Sequence, residues 1–263
     1  MQAATALEAV LRRDRWIVGA GVAGASAIAW AYQAYMAWGM EHGSSLIAAL
    51  MPRMQAWTAL DAALLLAMWV LMMTAMMLPS VAPTVLAFAE VNRRRREARS
   101  PFVPTGVFLA GYLGAWAGFS VVATLAQEAL HAAALMSPAM MARGPVFAGS
   151  VLLAAGVFQW TPLKHACLAR CRSPLSFVLA HWRDGAGGAF RVGLLHGSYC
   201  VGCCAPLMAL LLVNGVMNAG WMVLLSVLVL VEKLAPAHLS MHRAVGASLC
   251  AWGLWVLAGH WGE

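Results

Sequence analysis

The sequence predicts an all-α membrane protein that crosses the bilayer several times, and three observations lead to this prediction. Of its 263 residues, 62% are hydrophobic and only 10% are charged, whereas a soluble domain carries about 25% charged residues. The apolar residues also form runs long enough to cross a bilayer, rather than the stripes of a surface helix. We therefore expect a single integral membrane domain over residues 1–263.

The apolar runs predict about seven transmembrane helices. The last two are shorter than the roughly 20 residues that a perpendicular helix needs, so six spans with one re-entrant or peripheral helix is the alternative. The first run follows a basic segment, but its length and the lack of a cleavage site favour a retained span over a signal peptide. The predicted spans are residues 16–38, 61–82, 102–126, 145–163, 192–213, 217–232 and 244–261.

The basic residues indicate how the chain is oriented. The net charge is +7, yet 15 of the 17 Lys and Arg fall in segments that this topology places on one side, leaving Arg53 and Arg143 on the other. The positive-inside rule then places the N-terminus in the cytoplasm. The basic run at 93–96 is interpreted as a topology determinant, so the lipid bilayer is the expected partner and nucleic acid is not. A bacterial plasma (inner) membrane is the expected location.

The second predicted span is rich in methionine. Met68, Met72 and Met76 are four residues apart and share one helix face. Methionine is common apolar filler, but its thioether is also a soft ligand that suits Cu(I). Pro79 and Pro83 release backbone carbonyls at the inner end, which neighbouring groups must satisfy.

Small residues predict a packing face on the third span. Glycine residues at these spacings let neighbouring helices approach closely. They are Gly106, Gly111, Gly114 and Gly118.

Two cysteines follow the fourth span. Cys167 and Cys171 lie one helical turn apart, close to Lys164 and Arg170. On a reducing cytoplasmic side they are not expected to form a structural disulfide, and nearby positive charge favours the thiolate form that binds metals. They are secondary candidates for a metal site.

The fifth span begins with the densest group of potential ligands. Cys200, Cys203 and Cys204 follow His196 by four, seven and eight residues, which places all four on one stripe of a helix. Pro206 clashes with the carbonyl four residues before it. We therefore expect a kink, and a secure common face only from His196 to about Gly202.

An acidic residue ends the sixth span. Glu232 at this depth is expected to face the bundle, because intramembrane charges seldom face lipid. The alternative is a plain interfacial anchor made by Glu232 and Lys233. His238 and His242, beyond it, are interpreted as residues of a solvated loop.

These residues belong to a long, ordered motif run that resembles the predicted metal-binding integral membrane proteins named domain of unknown function 2182, over residues 60–236. The resemblance implies a multi-span helical protein with a suspected metal site, and no demonstrated reaction. The sequence departs from the pattern at Ala205 and Pro206, where an aromatic residue and no proline are expected. The run comprises residues 72–79; Thr161, Pro162, Leu163, Lys164, Cys167, Cys171, Arg172, Ser173 and Pro174; Gly193, His196, Gly197, Tyr199, Cys200, Gly202, Cys203, Cys204, Leu207 and Met208; and Gly215, Met217, Asn218, Trp221, Met222, Glu232 and Lys233.

The leading hypothesis is a transition-metal site that handles copper through transport, delivery or homeostasis. Soft thiolate and thioether ligands favour Cu(I), with zinc as the competitor, and no organic cofactor is expected. A metal donor or acceptor protein is the expected partner. The candidate ligands are His196, Cys200, Cys203, Cys204, Met72, Met76 and Met208, with Cys167, Cys171, Glu232 and Met217 as secondary candidates.

Two alternatives stay open. One is a membrane thiol-disulfide oxidoreductase that uses Cys200 and Cys203, or Cys167 and Cys171, in dithiol exchange. The other is an assembly factor in which bound metal only staples the bundle. Whether the protein is an enzyme is therefore undecided by its sequence.

Overall fold

The computed structural model describes residues 2–42, 58–97, 103–137, 140–216, 218–235 and 241–259. These residues are helical apart from short connections and one isolated bridge between Met136 and Ala142. Met217 and His238 lie outside the described residues. The helices are α1 Gln2–Glu41, α2 Ala59–Glu97, α3 Thr105–Ala132, α4 Pro145–Phe158, α5 Pro162–Cys171, α6 Pro174–His181, α7 Gly185–Ala209, α8 Leu211–Asn214, α9 Ala219–Leu234 and α10 Met241–Leu257.

The all-α prediction is confirmed for this part of the chain, which holds fewer membrane-length helices than the seven predicted spans. Four segments are long and apolar enough to cross a membrane, in α1, α2, α3 and the stretch of α7 with α8. The pair α4 and α5 would make a fifth, but it bends by 66° at the break between them. The sixth and seventh predicted spans fall in α9 and α10, of 16 and 17 residues.

Glycines bring the backbones of α3 and α7 into direct contact. A Cβ on Gly193 would lie 1.9 Å from the Phe108 carbonyl oxygen, and one on Gly111 would lie 2.1 Å from that of Phe190. No larger residue fits at either position, so the two helices approach as closely as small residues allow. Of the four glycines predicted to pack, Gly106 and Gly118 have nothing within 4 Å of such a Cβ.

A second close contact joins α4 and α10. A Cβ on Gly246 would lie 2.9 Å from the Gly156 carbonyl oxygen, and one on Gly253 would lie 3.0 Å from that of Gly149. The residue numbers rise along one helix and fall along the other, so the pair is antiparallel. The sulfur of Cys250 lies against Gly156 in this contact, well away in sequence from the other cysteines.

We predict that Gly193→Ala lowers the free energy of unfolding by roughly 1–3 kcal/mol, because the new methyl group must push α3 and α7 apart. Gly118→Ala, on α3 with open space around it, is the control and should be nearly neutral. Thermal unfolding of the purified protein in detergent measures both. Equal shifts in the two variants would contradict the close contact.

Candidate metal centre

Four cysteine side chains meet where α5 packs against α7. Cys203 Sγ lies 3.2 Å from Cys204 Sγ and 4.0 Å from Cys171 Sγ. Cys200 lies one turn earlier on α7, and its carbonyl accepts a hydrogen bond from the Cys203 thiol at 3.2 Å. All four side chains are buried. The sulfur cluster, as we call Cys171, Cys200, Cys203 and Cys204, thus joins a secondary candidate to three primary ones.

The helix that carries three of these cysteines continues past Pro206. α7 extends to Ala209, and its buried face runs on beyond Cys203 and Cys204 to Leu207. Burial alone does not test the expected kink at Pro206 or the expectation that the common face is secure only to about Gly202, so both stay predictions.

Cys200 contacts polar groups from two other helices. Lys233 Nζ, on α9, donates hydrogen bonds to Cys200 Sγ at 3.0 Å and to Ser80 Oγ at 2.8 Å. The Tyr112 hydroxyl, on α3, lies 3.2 Å from Cys200 Sγ and donates to the Met77 carbonyl at 3.4 Å. Cys200 therefore faces a cation and a hydroxyl group rather than apolar side chains alone.

Glu232 forms a fully buried ion pair with Lys164. Its Oε2 lies 2.6 Å from Lys164 Nζ, and both side chains are at most 1% exposed. Lys164 Nζ also donates to the Cys203 carbonyl at 2.9 Å, and Arg172 Nε donates to the Glu232 carbonyl at 2.8 Å. This ion pair fixes α5, α7 and α9 to one another around the sulfur cluster.

The ion pair corrects one expectation. Glu232 and Lys233 do not form an interfacial anchor, because each contacts a different buried partner. The side chains of Lys164 and Lys233 both lie inside the bundle. Glu232 has one carboxylate oxygen in the ion pair and the other without a hydrogen-bond partner.

His196 lies at the same level but is held by α2. Its Nε2 is 3.2 Å from Thr84 Oγ1, while its buried Nδ1 has no hydrogen-bond partner. The rings of Phe177 and Tyr112 lie 4.9 and 6.0 Å from the imidazole ring, centre to centre. Nδ1 is therefore the imidazole nitrogen that remains available to a ligand.

The candidate methionines are all buried, but burial does not single them out. Met72, Met76 and Met208 are at most 1% exposed. Met73 and Met77 are buried equally well, although Leu71 on the same helix is exposed, so the buried surface of α2 at this depth is wider than one stripe. Packing and ligation both suit a buried thioether, and a role for these three residues as ligands stays a prediction.

Cys167 lies on α5 at the edge of the cluster. Its sulfur would be 2.9 Å from a Cβ placed on Gly202, so it packs against the backbone of α7. Among the described residues, no group of three or more His, Cys, Asp and Glu side chains is spaced to hold a metal ion. The arrangement instead offers two close pairs of thiols, Cys203 with Cys204 and Cys203 with Cys171.

A histidine pair lies on the far side of α5. His242, expected in a solvated loop, is instead buried in the first turn of α10, with its ring 4.4 Å from that of His165. The loop interpretation is wrong for His242.

Sequence reasoning missed the roles of three residues that shape this site. Tyr112 and Lys233 contact the Cys200 thiol, and Lys164 contacts the Cys203 carbonyl and pairs with Glu232. Both lysines belong to the motif run, and each lies at the end of an apolar segment. A charge buried at such a position indicates a polar or oppositely charged partner inside the bundle. The sequence gives no comparable indication for Tyr112, because an aromatic residue beside Gly111 in an apolar helix is typical of ordinary packing.

We predict that Glu232→Gln lowers the free energy of unfolding by about 3–5 kcal/mol, because it leaves the Lys164 charge buried and unpaired. Lys164→Met should lower the free energy of unfolding by a similar amount, because it leaves the Glu232 charge buried and unpaired. The double variant should lose less than the sum of the two losses, since neither charge remains. Denaturant unfolding in detergent measures the three values, and strictly additive losses would contradict the pairing.

Comparison with known proteins identifies the family of the chain. The family model described as PpoB2, copper chaperone, matches residues 66–256. This match supports a copper-related family and does not carry the label of domain of unknown function 2182. No curated protein and no solved structure matches the chain. Because the matched region spans most of the sequence, from α2 to α10, the chain belongs to the PpoB2 copper chaperone family.

Proposed function

We propose that this protein is an integral membrane copper-handling protein that binds Cu(I) at the sulfur cluster and passes it to a partner protein. The observation that carries the proposal is the burial of four thiols against one another at the contact of α5 and α7. Copper is the cargo in this proposal, and the protein supplies the ligands and the enclosure.

The chemistry of the donor set suits Cu(I). Thiolate and thioether groups are soft ligands that prefer Cu(I) to hard cations such as Mg²⁺. The 4.0 Å between the sulfurs of Cys171 and Cys203 lies within the reach of two metal–sulfur bonds of about 2.3 Å each. One ion could therefore bridge α5 and α7, with Cys200, Cys204, the Nδ1 of His196 or a methionine sulfur as further ligands.

We further propose that the described helices cross a bacterial plasma membrane, with the N-terminus in the cytoplasm and the thiols near the inner leaflet. The length and apolar character of four segments support this, and so do the exposed large hydrophobic side chains along α1, such as Trp16 and Ile28. In this arrangement α9 and α10 complete the seven predicted spans, unless they only partly enter the bilayer.

Burial explains why the protein would hold copper rather than exchange disulfides. The thiols of Cys200, Cys203 and Cys204 are at most 1% exposed, whereas thiol–disulfide exchange needs an accessible sulfur. An enclosed site instead keeps Cu(I) from water and from other thiols. Transfer of copper to a partner protein then requires α5 to move relative to α7. This movement separates Cys171, the one cluster member on α5, from the three cysteines on α7.

The main test measures copper on the purified protein. We expect about one Cu(I) per chain, and a large loss of affinity in the variants Cys171→Ser and Cys203→Ser, because each removes one sulfur of the bridging pair. Cys250→Ser is the matched control, since its thiol packs against Gly156 in the contact of α4 with α10. Competition with a chromophoric Cu(I) chelator gives the affinities.

Four outcomes would contradict the proposal. Equal loss in the Cys250 variant would mean that the cluster is not the site. Zinc retained in place of copper would reassign the metal. Metal-free protein whose thiols cycle with a quinone or a dithiol protein would favour the oxidoreductase, and metal that stays bound with no effect of gene deletion on copper tolerance would favour a structural staple.

We predict that His196→Ala weakens Cu(I) binding more than His42→Ala does. His196 is buried beside the sulfur cluster with a free Nδ1, whereas His42 is exposed and stacks on Trp38 at the far end of α1. The same chelator competition compares the two variants. Equal effects would remove His196 from the set of proposed ligands.

A further inference from the structure

We propose that His181 is a second metal-binding residue, through which Cu(I) enters and leaves the sulfur cluster from a pocket between α6 and α7. This inference rests on the proposed copper function and adds a route to the same site. Its basis is a row of three rings in contact, His181, Phe177 and His196, which leads from the pocket to the cluster.

The pocket lies where α6 ends and α7 begins. It has a volume of about 360 Å³ and is lined by the ends of both helices and by the connection between them. Two of its lining residues, Arg183 and Arg191, are exposed, whereas a third, Val192, is buried. Val192 precedes His196 by four residues on α7, so it lies one turn away on the same helix face. The pocket thus reaches from exposed cationic groups to within one turn of His196.

One imidazole nitrogen of His181 is held by the backbone. Its Nδ1 lies 3.0 Å from the Phe177 carbonyl oxygen. A carbonyl oxygen only accepts hydrogen bonds, so Nδ1 bears the hydrogen and the neutral ring has its lone pair on Nε2. Backbone carbonyls fix the ring orientation of metal-binding histidines in the same way. His181 is therefore prepared to bind Cu(I) through Nε2.

Phe177 separates His181 from His196. Its ring stacks on the His181 ring, with 4.5 Å between their centres, and meets the His196 ring edge-on at 4.9 Å. The side chain of Phe177 is only 3% exposed, and its hydrocarbon ring offers no atom that binds a metal ion. An ion held at His181 is therefore one aromatic ring away from His196, and movement of that ring would open the way.

The movement that releases copper would also move Phe177. Only Arg172 and Ser173 separate the end of α5 from the start of α6, the helix that carries Phe177. A shift of α5 that separates Cys171 from the cysteines of α7 would therefore displace the Phe177 ring at the same time.

The charge of the pocket indicates how Cu(I) arrives. Arg183 and Arg191 repel a free cation, but they attract Cu(I) bound to two thiolates of a carrier, because that complex has a net negative charge. On transfer, a bond from copper to a carrier sulfur is replaced by one to His181 and then by one to a cluster thiol. The departing carrier thiolate takes up the proton that the cluster thiol releases, and the ion stays Cu(I) throughout.

The experiment follows the rate of copper loading into the full-length protein in detergent. Cu(I) is supplied as its complex with bicinchoninate, an anionic chromophoric chelator, and the loss of colour is recorded by stopped flow. We expect His181→Ala to slow loading by roughly tenfold or more, because a ligand in the pocket raises the local concentration of the ion. The equilibrium affinity should stay nearly the same, since the ligands of the cluster are unchanged.

His42→Ala is the matched control. The Nδ1 of His42 lies 2.8 Å from the carbonyl oxygen of Trp38, four residues earlier, and the two rings stack at 4.5 Å. This local arrangement is the same as that of His181 and Phe177, but His42 follows the end of α1 and does not line the pocket. The His42 variant should load copper at the rate of the unaltered protein.

A variant of Phe177 tests the route itself. Phe177→Leu keeps an apolar side chain for folding but removes the ring between the two histidines. It should speed loading and removal of copper by excess chelator by the same factor, because a lower barrier leaves the equilibrium unchanged. Leu179→Ala, at an exposed position of the same helix, should change neither rate.

The outcomes separate this inference from the copper function. Equal loading rates in the His181 and His42 variants overturn the role of His181 and leave the proposed function in place. A loss of affinity in His181→Ala that matches its loss of rate also overturns it, because His181 would then belong to the holding site. Unchanged rates in Phe177→Leu overturn the route past that ring. If the unaltered protein takes up no Cu(I), the proposed function itself fails.

Discussion

Three buried charges in an apolar helical bundle are the constraint on which the site depends. Lys164, Glu232 and Lys233 lie inside the protein, where each charge needs a partner that the surrounding apolar side chains cannot provide. Lys164 and Glu232 satisfy each other, and in doing so they hold α5 against α9 and, through the Cys203 carbonyl, against α7. Lys233 turns to Cys200 and Ser80. The positions of the thiols follow from these contacts.

Close backbone packing provides the second half of the site. Gly111, Gly193 and Gly197 let α3 lie directly on α7, so the Tyr112 hydroxyl reaches Cys200 Sγ. Interhelical contacts of this kind gain from van der Waals packing where lipid gives no hydrophobic drive between helices. Charge pairing fixes the α5 side of α7, and glycine packing fixes its α3 side. The cysteine-bearing face is enclosed between the two.

Such an enclosure suits a protein of a copper chaperone family. Soft sulfur ligands in a site closed to water would hold Cu(I) against loss to other thiols, and the same closure sets the condition for release. The chain contributes three cysteines from one helix and one from another. In the proposed copper site, a relative movement of α5 would separate Cys171 from Cys203 without unfolding either helix, so one contact would govern both holding and release.

The sequence by itself determined the helical class, the apolar segments and the residues that could bind a metal, because composition and helical period are local properties. From their spacing it predicted that His196, Cys200, Cys203 and Cys204 share one helix stripe, with the common face secure only to about Gly202 because of Pro206. It could not determine that Cys171 would meet Cys203, that Glu232 would pair with Lys164 rather than stand beside Lys233, or that Tyr112 would contact Cys200. The period of a helix indicates which face is apolar, but only tertiary packing decides which other helix that face contacts.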